Sequence, residues 1–211
     1  RRVDGRDPRR FVREEIADPL GVVALVGLPL DEPVEVADLL EPPEGTSLAE
    51  TTRAARSLDP ATIERYDDVR LLTVPVANSE PFRRSQIPGA NGHTNARALA
   101  RTYGALARGG SIGGVRLVSP TTLAHAREVQ ATGPDRTIGS TTQYLLGWQG
   151  PDSDRAPVRG TTGFGHGGAY GSIGWADPDA RMGFGYVANQ CGEPAGDQRG
   201  KRLLRAALDC V

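Results

Sequence analysis

The run Gly163-Phe164-Gly165-His166-Gly167-Gly168-Ala169-Tyr170-Gly171-Ser172-Ile173-Gly174-Trp175 places six glycines, one histidine and three aromatics in thirteen positions. A helix cannot accommodate it, because each glycine costs about 0.8–1.0 kcal/mol relative to alanine in a helix interior. The run is therefore strand and turn, and the rest of the chain is expected to be built to hold it. Glycine inside a strand marks a place where another backbone or a ligand comes close. This edge is a candidate substrate ledge; the competing reading is a Gly-rich hairpin with a solvent-facing histidine.

A hairpin is expected to follow, with Gly171–Ala176 joined to Met182–Asn189 through the turn Asp177-Pro178-Asp179-Ala180. In the second strand Met182, Phe184, Tyr186 and Ala188 alternate with Gly183, Gly185, Val187 and Asn189, giving one large face and one nearly bare one. The bare face invites a close helix. The segment Asp197–Val211, with its stripe Leu203, Leu204, Ala207, Leu208 and Val211, is the expected occupant. Before the glycine run, Tyr144–Gln149 reads as a strand and 150–160 as an exposed loop.

Upstream, helix signals dominate. Asp7-Pro8 is a cap followed by proline at the first helical position, and this helix is expected to stop before Pro19, with Gly21 completing the ending. Val22–Leu28 suits a buried strand. An acidic, Pro-rich loop fills 29–43, a helix or two short ones follow over Thr46–Arg65, and 78–92 looks irregular. Asn or Thr within Asn91-Gly92-His93-Thr94-Asn95 caps a helix with Ala96, Leu99, Ala100, Tyr103, Leu106 and Ala107 on one face, ended by Gly109-Gly110. Ser119-Pro120 opens another, through Leu123, Ala126 and Val129. The layout is α+β: residues 1–143 mainly helices and loops, then 144–211 as antiparallel strands covered by a terminal helix.

Composition narrows the function. Net charge is −1 from 25 basic and 26 acidic residues, so no field favours nucleic acid or an anionic membrane. Neither partner is expected. Cys191 and Cys210 are too few for a disulfide framework and read as free thiols, with one bridge to the terminal helix as the alternative in an oxidising compartment. His93, His125 and His166 are scattered, so no metal site and no cofactor is expected. The N-terminal residues Arg1-Arg2-Val3-Asp4-Gly5-Arg6 lack the apolar core of a signal peptide, and the compartment favoured is the cytoplasm. With no initiator Met, the chain reads as cut at its front.

Two blocks, Gly165–Pro178 and Gly183–Asn189, resemble the C-terminal sheet of the serine β-lactamase and penicillin-binding protein superfamily, nearest its class C-like esterase/β-lactamase branch common in actinobacteria. Ile87-Pro88-Gly89-Ala90-Asn91-Gly92-His93 and Phe11–Gly21 are similar to that branch as well. The resemblance implies a β-lactamase/transpeptidase-like fold and three boxes. These are Ser-x-x-Lys, whose Ser is acylated; Tyr-x-Asn, whose Tyr assists proton transfer; and Lys-Thr-Gly on an edge strand, replaced by His-Gly-Gly in many esterase-like members. His166-Gly167-Gly168 corresponds to the third. It implies that His166 orients the proton relay, that the Ala169 backbone N–H is an oxyanion donor, and that Gly167, Gly168 and Tyr170 line the substrate. Glycine in place of Thr favours a neutral ester over a penicillin-type carboxylate.

The first two boxes have no counterpart. The single lysine, Lys201, has Gln198 three positions before it, and the five tyrosines are followed two positions on by Asp68, Ala105, Leu146, Ser172 and Ala188. Gly171-Ser172-Ile173-Gly174 is not a nucleophile elbow either. The expectation is the C-terminal portion of a single serine hydrolase domain spanning 1–211. It would act on a small-molecule ester, amide or lactam once the missing half is supplied, be inactive alone, and self-associate through an exposed sheet edge. The alternative is a non-catalytic ligand- or peptide-binding remnant of the same fold.

Overall fold

The computed structural model describes residues 3–42, 73–135, 140–154, 156–158, 162–168, 171–192 and 197–211. The first elements are α1 (Pro8–Val12), a π-helical turn (Arg13–Ala17), α2 (Asp18–Leu20), β1 (Ala24–Val26), α3 (Val74–Asn78) and α4 (Glu80–Arg84). Next come β2 (Gly92–Thr94), α5 (Ala96–Ala107), β3 (Ser111–Ile112), β4 (Val115–Arg116), α6 (Pro120–Ala126), β5 (Ala131–Asp135) and β6 (Ser140–Tyr144). Finally, β7 (Phe164–Gly167), β8 (Ile173–Asp177), β9 (Met182–Tyr186) and α7 (Arg199–Leu208) complete the order. The helix expected over Thr46–Arg65 lies outside the described residues.

The capping signals work as read. The Asp7 carboxylate accepts the Arg10 N–H at 2.9 Å, the Asn95 side chain that of Ala98 at 2.9 Å, and the Ser119 hydroxyl that of Thr122 at 3.0 Å. Each satisfies a donor that the first helical turn leaves without an intrahelical partner. The first helix, however, does not stop before Pro19. The wider π turn bonds Asp18 N–H to the Arg13 carbonyl, five residues back, and leaves room for a proline that has no N–H to offer. The path ends at Gly21, φ 62°, where Val22 and Gly21 donate to Ala17 and Asp18 in a Schellman pair.

Several other segments differ from their sequence reading, among them the loop expected to be exposed over 150–160, where Gly150, Ser153, Ala156 and Pro157 are buried. Within 78–92, α4 forms one helical turn with Pro81 at its start, and buried Asn91 ties the helix end to the loop after it. Its side chain accepts the Ile87 N–H and donates to the Phe82 and Ser85 carbonyls. The strand expected over Tyr144–Gln149 lies earlier, at β6, because Gly147 at φ 87° turns the chain back. Gln149 thereby bridges both Tyr144 and Gly165. β6 pairs with β5, whose Gly133-Pro134 hid it as a strand; as an outer strand it tolerates a proline. Helix α6 ends at Ala126, leaving Val129 exposed.

The central sheet is antiparallel, in the order β7-β8-β9, and its two faces are unequal. Cross-strand partners share a face. Ile173, Trp175, Met182, Phe184 and Tyr186 lie on the large face and pack with Leu204 and Leu208 of α7. Phe164, His166, Gly174, Ala176, Gly183 and Gly185 lie on the other, which takes α5. This reverses the expected assignment of helices: α7 covers the large face and α5 the bare one. The reason is a ridge of small residues on α5, Ala96, Ala100 and Gly104, spaced by four. A Cβ on Gly183 would strike the backbone of Ala100 and Gly104, and one on Gly185 the backbone of Ala96 and Ala100. Backbone meets backbone there. Of the stripe expected on the terminal helix, Leu203 (54 % exposed) and Val211 (76 %) stay outside the core.

Phe164 anchors the start of β7 in a second cluster with Ala107, Leu123, Leu145 and Ala176. Trp148 meets its ring edge-on, with centroids 4.9 Å apart, and the Arg127 guanidinium lies 5.0 Å above it. Past the other edge of the sheet, the acidic segment comes alongside the chain after β9. Leu40 forms a parallel bridge with Gln190, donating to Asn189 and accepting from Cys191. Cys191 is buried, Cys210 is exposed, and both thiols are free.

Candidate functional site

The Gln149 bridge to Gly165 uses that glycine's N–H (3.2 Å) and C=O (2.8 Å) on the side of β7 away from β8. An antiparallel ladder alternates, so Gly167 turns its own N–H and C=O to the same outer side. Among the described residues, that outer edge carries no rung beyond Gly165. His166, Gly167 and Gly168 are all exposed. The chain then turns back sharply: Gly168 N–H donates to the Ser172 carbonyl at 2.6 Å, and Gly171, φ 94°, to the Gly168 carbonyl at 3.1 Å. Ala169 and Tyr170, the expected oxyanion donor and substrate contact, lie outside the described residues.

The glycines of this sheet fall into two groups. At Gly165 a Cβ would strike the backbone of Gly174 and Trp175, at Gly174 the Tyr103 ring, and at Gly183 and Gly185 the backbone of α5. These are required by packing. A Cβ on Gly167 would find only the Ser172 carbonyl at 4.0 Å, and one on Gly168 the Ser172 Cβ at 3.6 Å, an ordinary contact. Nothing within the described protein demands glycine at 167 or 168. The open ledge is two residues long, Gly167 and Gly168, and follows His166.

His166 sits at the end of a cross-strand row completed by Gly174 and Gly185. Its Nδ1 is 2.7 Å from the Gly167 carbonyl oxygen, which can only accept, so Nδ1 donates and the neutral ring would leave Nε2 as the acceptor. The ring of Tyr103 fills the room that Gly174 leaves beside it. Burial pushes the Tyr103 hydroxyl up to about 12, opposed by its hydrogen bond with Trp148. The ring itself forms a wall of this row.

The other candidates stand apart from this row. His125 is exposed and pairs with Glu128 at 3.1 Å. His93 is half-buried in β2 opposite Leu25, and its buried Nδ1 makes no hydrogen bond of ordinary geometry. Burial lowers its pKa, the Asn91 backbone opposes this, and the charge of Arg83 adds to the fall. Ser172 contributes its carbonyl to the turn. Among the described residues, no group of three His, Cys, Asp or Glu could hold a metal, and no helix is long and apolar enough to cross a membrane.

Sequence reasoning missed two parts of the neighbourhood. One is the Tyr103 wall, which the helical spacing placed on a core face without indicating its partner. The other is Asp197, whose carboxylate occupies the space beside both Gly171 and Gly192 while paired with Arg199 at 2.6 Å. The spacing of Asp197 and Arg199, two apart before a helix, reads as an ordinary surface pair.

Comparison with known proteins gives a consistent set of matches. The beta-lactamase family profile matches residues 1–209. The esterase/beta-lactamase LipL of Mycobacterium tuberculosis is 37% identical over 204 residues, covering 92% of this chain and 46% of LipL. A family VIII carboxylesterase superposes with a TM-score of 0.82 at 31% identity, over 98% of this chain and 53% of that one. A penicillin-binding protein homologue from Caulobacter crescentus also gives 0.82, at 32% identity, over 100% of this chain and 54% of that one. The chain spans about half the length of the relatives it matches.

Proposed function

The chain belongs to the beta-lactamase family and has its transpeptidase-like fold, and from that premise we propose that it carries the substrate ledge of a serine hydrolase acting on esters, amides or β-lactams. The names of its relatives, an esterase/beta-lactamase and a carboxylesterase, support that substrate class. In this reading a serine outside the chain attacks the substrate carbonyl. The new O–C bond forms, the leaving group departs with a proton, and water then releases the acid and restores the serine. Nε2 of His166 holds a proton relay in line, the substrate lies along Gly167 and Gly168 beside Tyr170, and the Ala169 N–H donates to the oxyanion. One such donor is worth about 10²–10³ in rate.

The observation that carries this reading is the contrast among the glycines. Those that the fold needs are filled by neighbours, whereas a Cβ on Gly167 or Gly168, beside the exposed His166, would meet nothing closer than 3.6 Å among the described residues. A ledge kept bare for no internal reason is what an acyl group lying along a strand edge requires. The lone lysine and the residues after each tyrosine leave Ser-x-x-Lys and Tyr-x-Asn to a part of the protein that this chain does not contain. Alone, the chain is inactive.

The test is the intact mass of the chain after exposure to a fluorophosphonate, which acylates activated serines. We expect no adduct on the chain alone. In a chimera where it replaces the matched portion of LipL, we expect one adduct per chain, ester turnover, and at least a tenfold loss of turnover in His166→Ala. A stoichiometric adduct on the chain alone, lost in Ser172→Ala, refutes the proposal. Saturable ester binding to the chimera without turnover points to the binding-remnant alternative.

A further inference from the structure

The far limb of the turn after the ledge is held by a carboxylate from another element. A Cβ on Gly171 would run into Asp197 Oδ2 and lie 2.9 Å from its Cγ, and Gly192 is occupied by the same oxygen from the other side. The Asp197 side chain is only 9% exposed. Arg199 holds it in place: its Nε is 3.0 Å from each carboxylate oxygen, its backbone N–H 2.9 Å from Oδ1. The same guanidinium donates to the Gln190 carbonyl at 3.0 Å, and Gln190 is the residue bridged by Leu40. Two segments thus meet on one ion pair, the turn closing the ledge and the chain leaving β9, and the second of them is bridged in turn by Leu40. Burial would raise the pKa of Asp197, but its bonds to Arg199 outweigh that and leave it lowered.

We propose that Asp197 is a positioning residue for the ledge: wedged between Gly171 and Gly192, it fixes the return limb of the turn and so the line of the Gly167–Gly168 edge. The use of that edge by an acyl substrate rests on the function proposed above; the positioning itself does not. Arg199 is part of the device. Its guanidinium neutralises the carboxylate and holds both oxygens against the turn.

The turn reports on itself through the Gly168 and Gly171 amides, both of which donate within it. Amide hydrogen exchange followed by NMR on the full chain compares wild type with Asp197→Ala, Asp197→Asn and Arg199→Gln. Asp197→Ala is expected to speed exchange at Gly168 and Gly171 at least tenfold, with Trp175 and Phe184 in the sheet centre within twofold of wild type. Asp197→Asn keeps the shape of the wedge and recovers part of the protection; Arg199→Gln, which leaves the wedge in place but unpaired, speeds the same two amides. Unchanged exchange at Gly168 and Gly171, or equal acceleration of all four amides, overturns the proposal. In the LipL chimera, Asp197→Asn is expected to lower kcat with KM held within twofold. A chimera without turnover counts against the hydrolase reading, while the exchange result still decides the role of Asp197.

Discussion

Two single-methyl substitutions, Gly185→Ala and Gly167→Ala, separate glycine required by packing from glycine that packing does not require. At Gly185 the added Cβ would overlap the Ala96 carbonyl and lie 2.7 Å from Ala100 N, both backbone atoms of α5. No rotamer change relieves that, so α5 must move away from the sheet. Overpacking costs about 1–3 kcal/mol, and a rigid helix backbone puts this case near the top. Restricting the unfolded chain returns about 0.4–1 kcal/mol, leaving a net loss of about 2 kcal/mol. For a chain of this size 1 kcal/mol is about 2–4 °C, so Tm falls by about 4–8 °C. At Gly167 the nearest atom is 4.0 Å away and φ is not left-handed, so the unfolded-state term acts alone and Tm holds or rises by about 1–4 °C. Urea and thermal unfolding followed by circular dichroism read both variants. Equal losses at the two positions would refute the division of the glycines.

Two further predictions concern other residues. Cys191 is fully buried and its thiol is pushed up to about 11, first by burial and then by Glu41, whereas Cys210 is exposed. A thiol-reactive disulfide reagent at neutral pH should titrate one thiol per native chain and two in denaturant; two fast thiols, or none in denaturant, would contradict the structure. His93 has a folded pKa below its ordinary 6.5 because of burial. The unfolded chain then takes up the proton first, so stability falls as pH drops through 6.5, by less than the limit of about 1.4 kcal/mol per pH unit for one proton. His93→Gln should flatten the urea midpoint between pH 7.5 and 5.5, and an unchanged slope would count against it.

How far the sequence could be read depended on whether the cause was local. Asp7, Asn95 and Ser119 announced their helices because a cap acts within one turn. The glycine run announced strand and turn for a similar reason. The polar strand Ser140–Tyr144 and its partner with Gly133-Pro134 were hidden, since pairing between segments overrode weak β propensity. Alternation in β9 revealed two faces but not which helix took which; the ridge at 96, 100 and 104 decides that from more than seventy residues away. In the candidate site, His166-Gly167-Gly168 was singled out only through a resemblance to a family; its exposure at a strand end is what the structure adds. Asp197 was not, because only folding brings it between Gly171 and Gly192.

The partition of the glycines also bears on how such a protein can change. Every glycine codon becomes an alanine codon through one base substitution. At 165, 174, 183 and 185 that change collides with neighbouring atoms, and selection for a stable product removes it. At 167 and 168 it adds a methyl group to the floor of the ledge and leaves the interior untouched. If the proposed ledge is the substrate edge, its substrate preference can drift by point mutation at two adjacent codons, without a packing cost among the described residues.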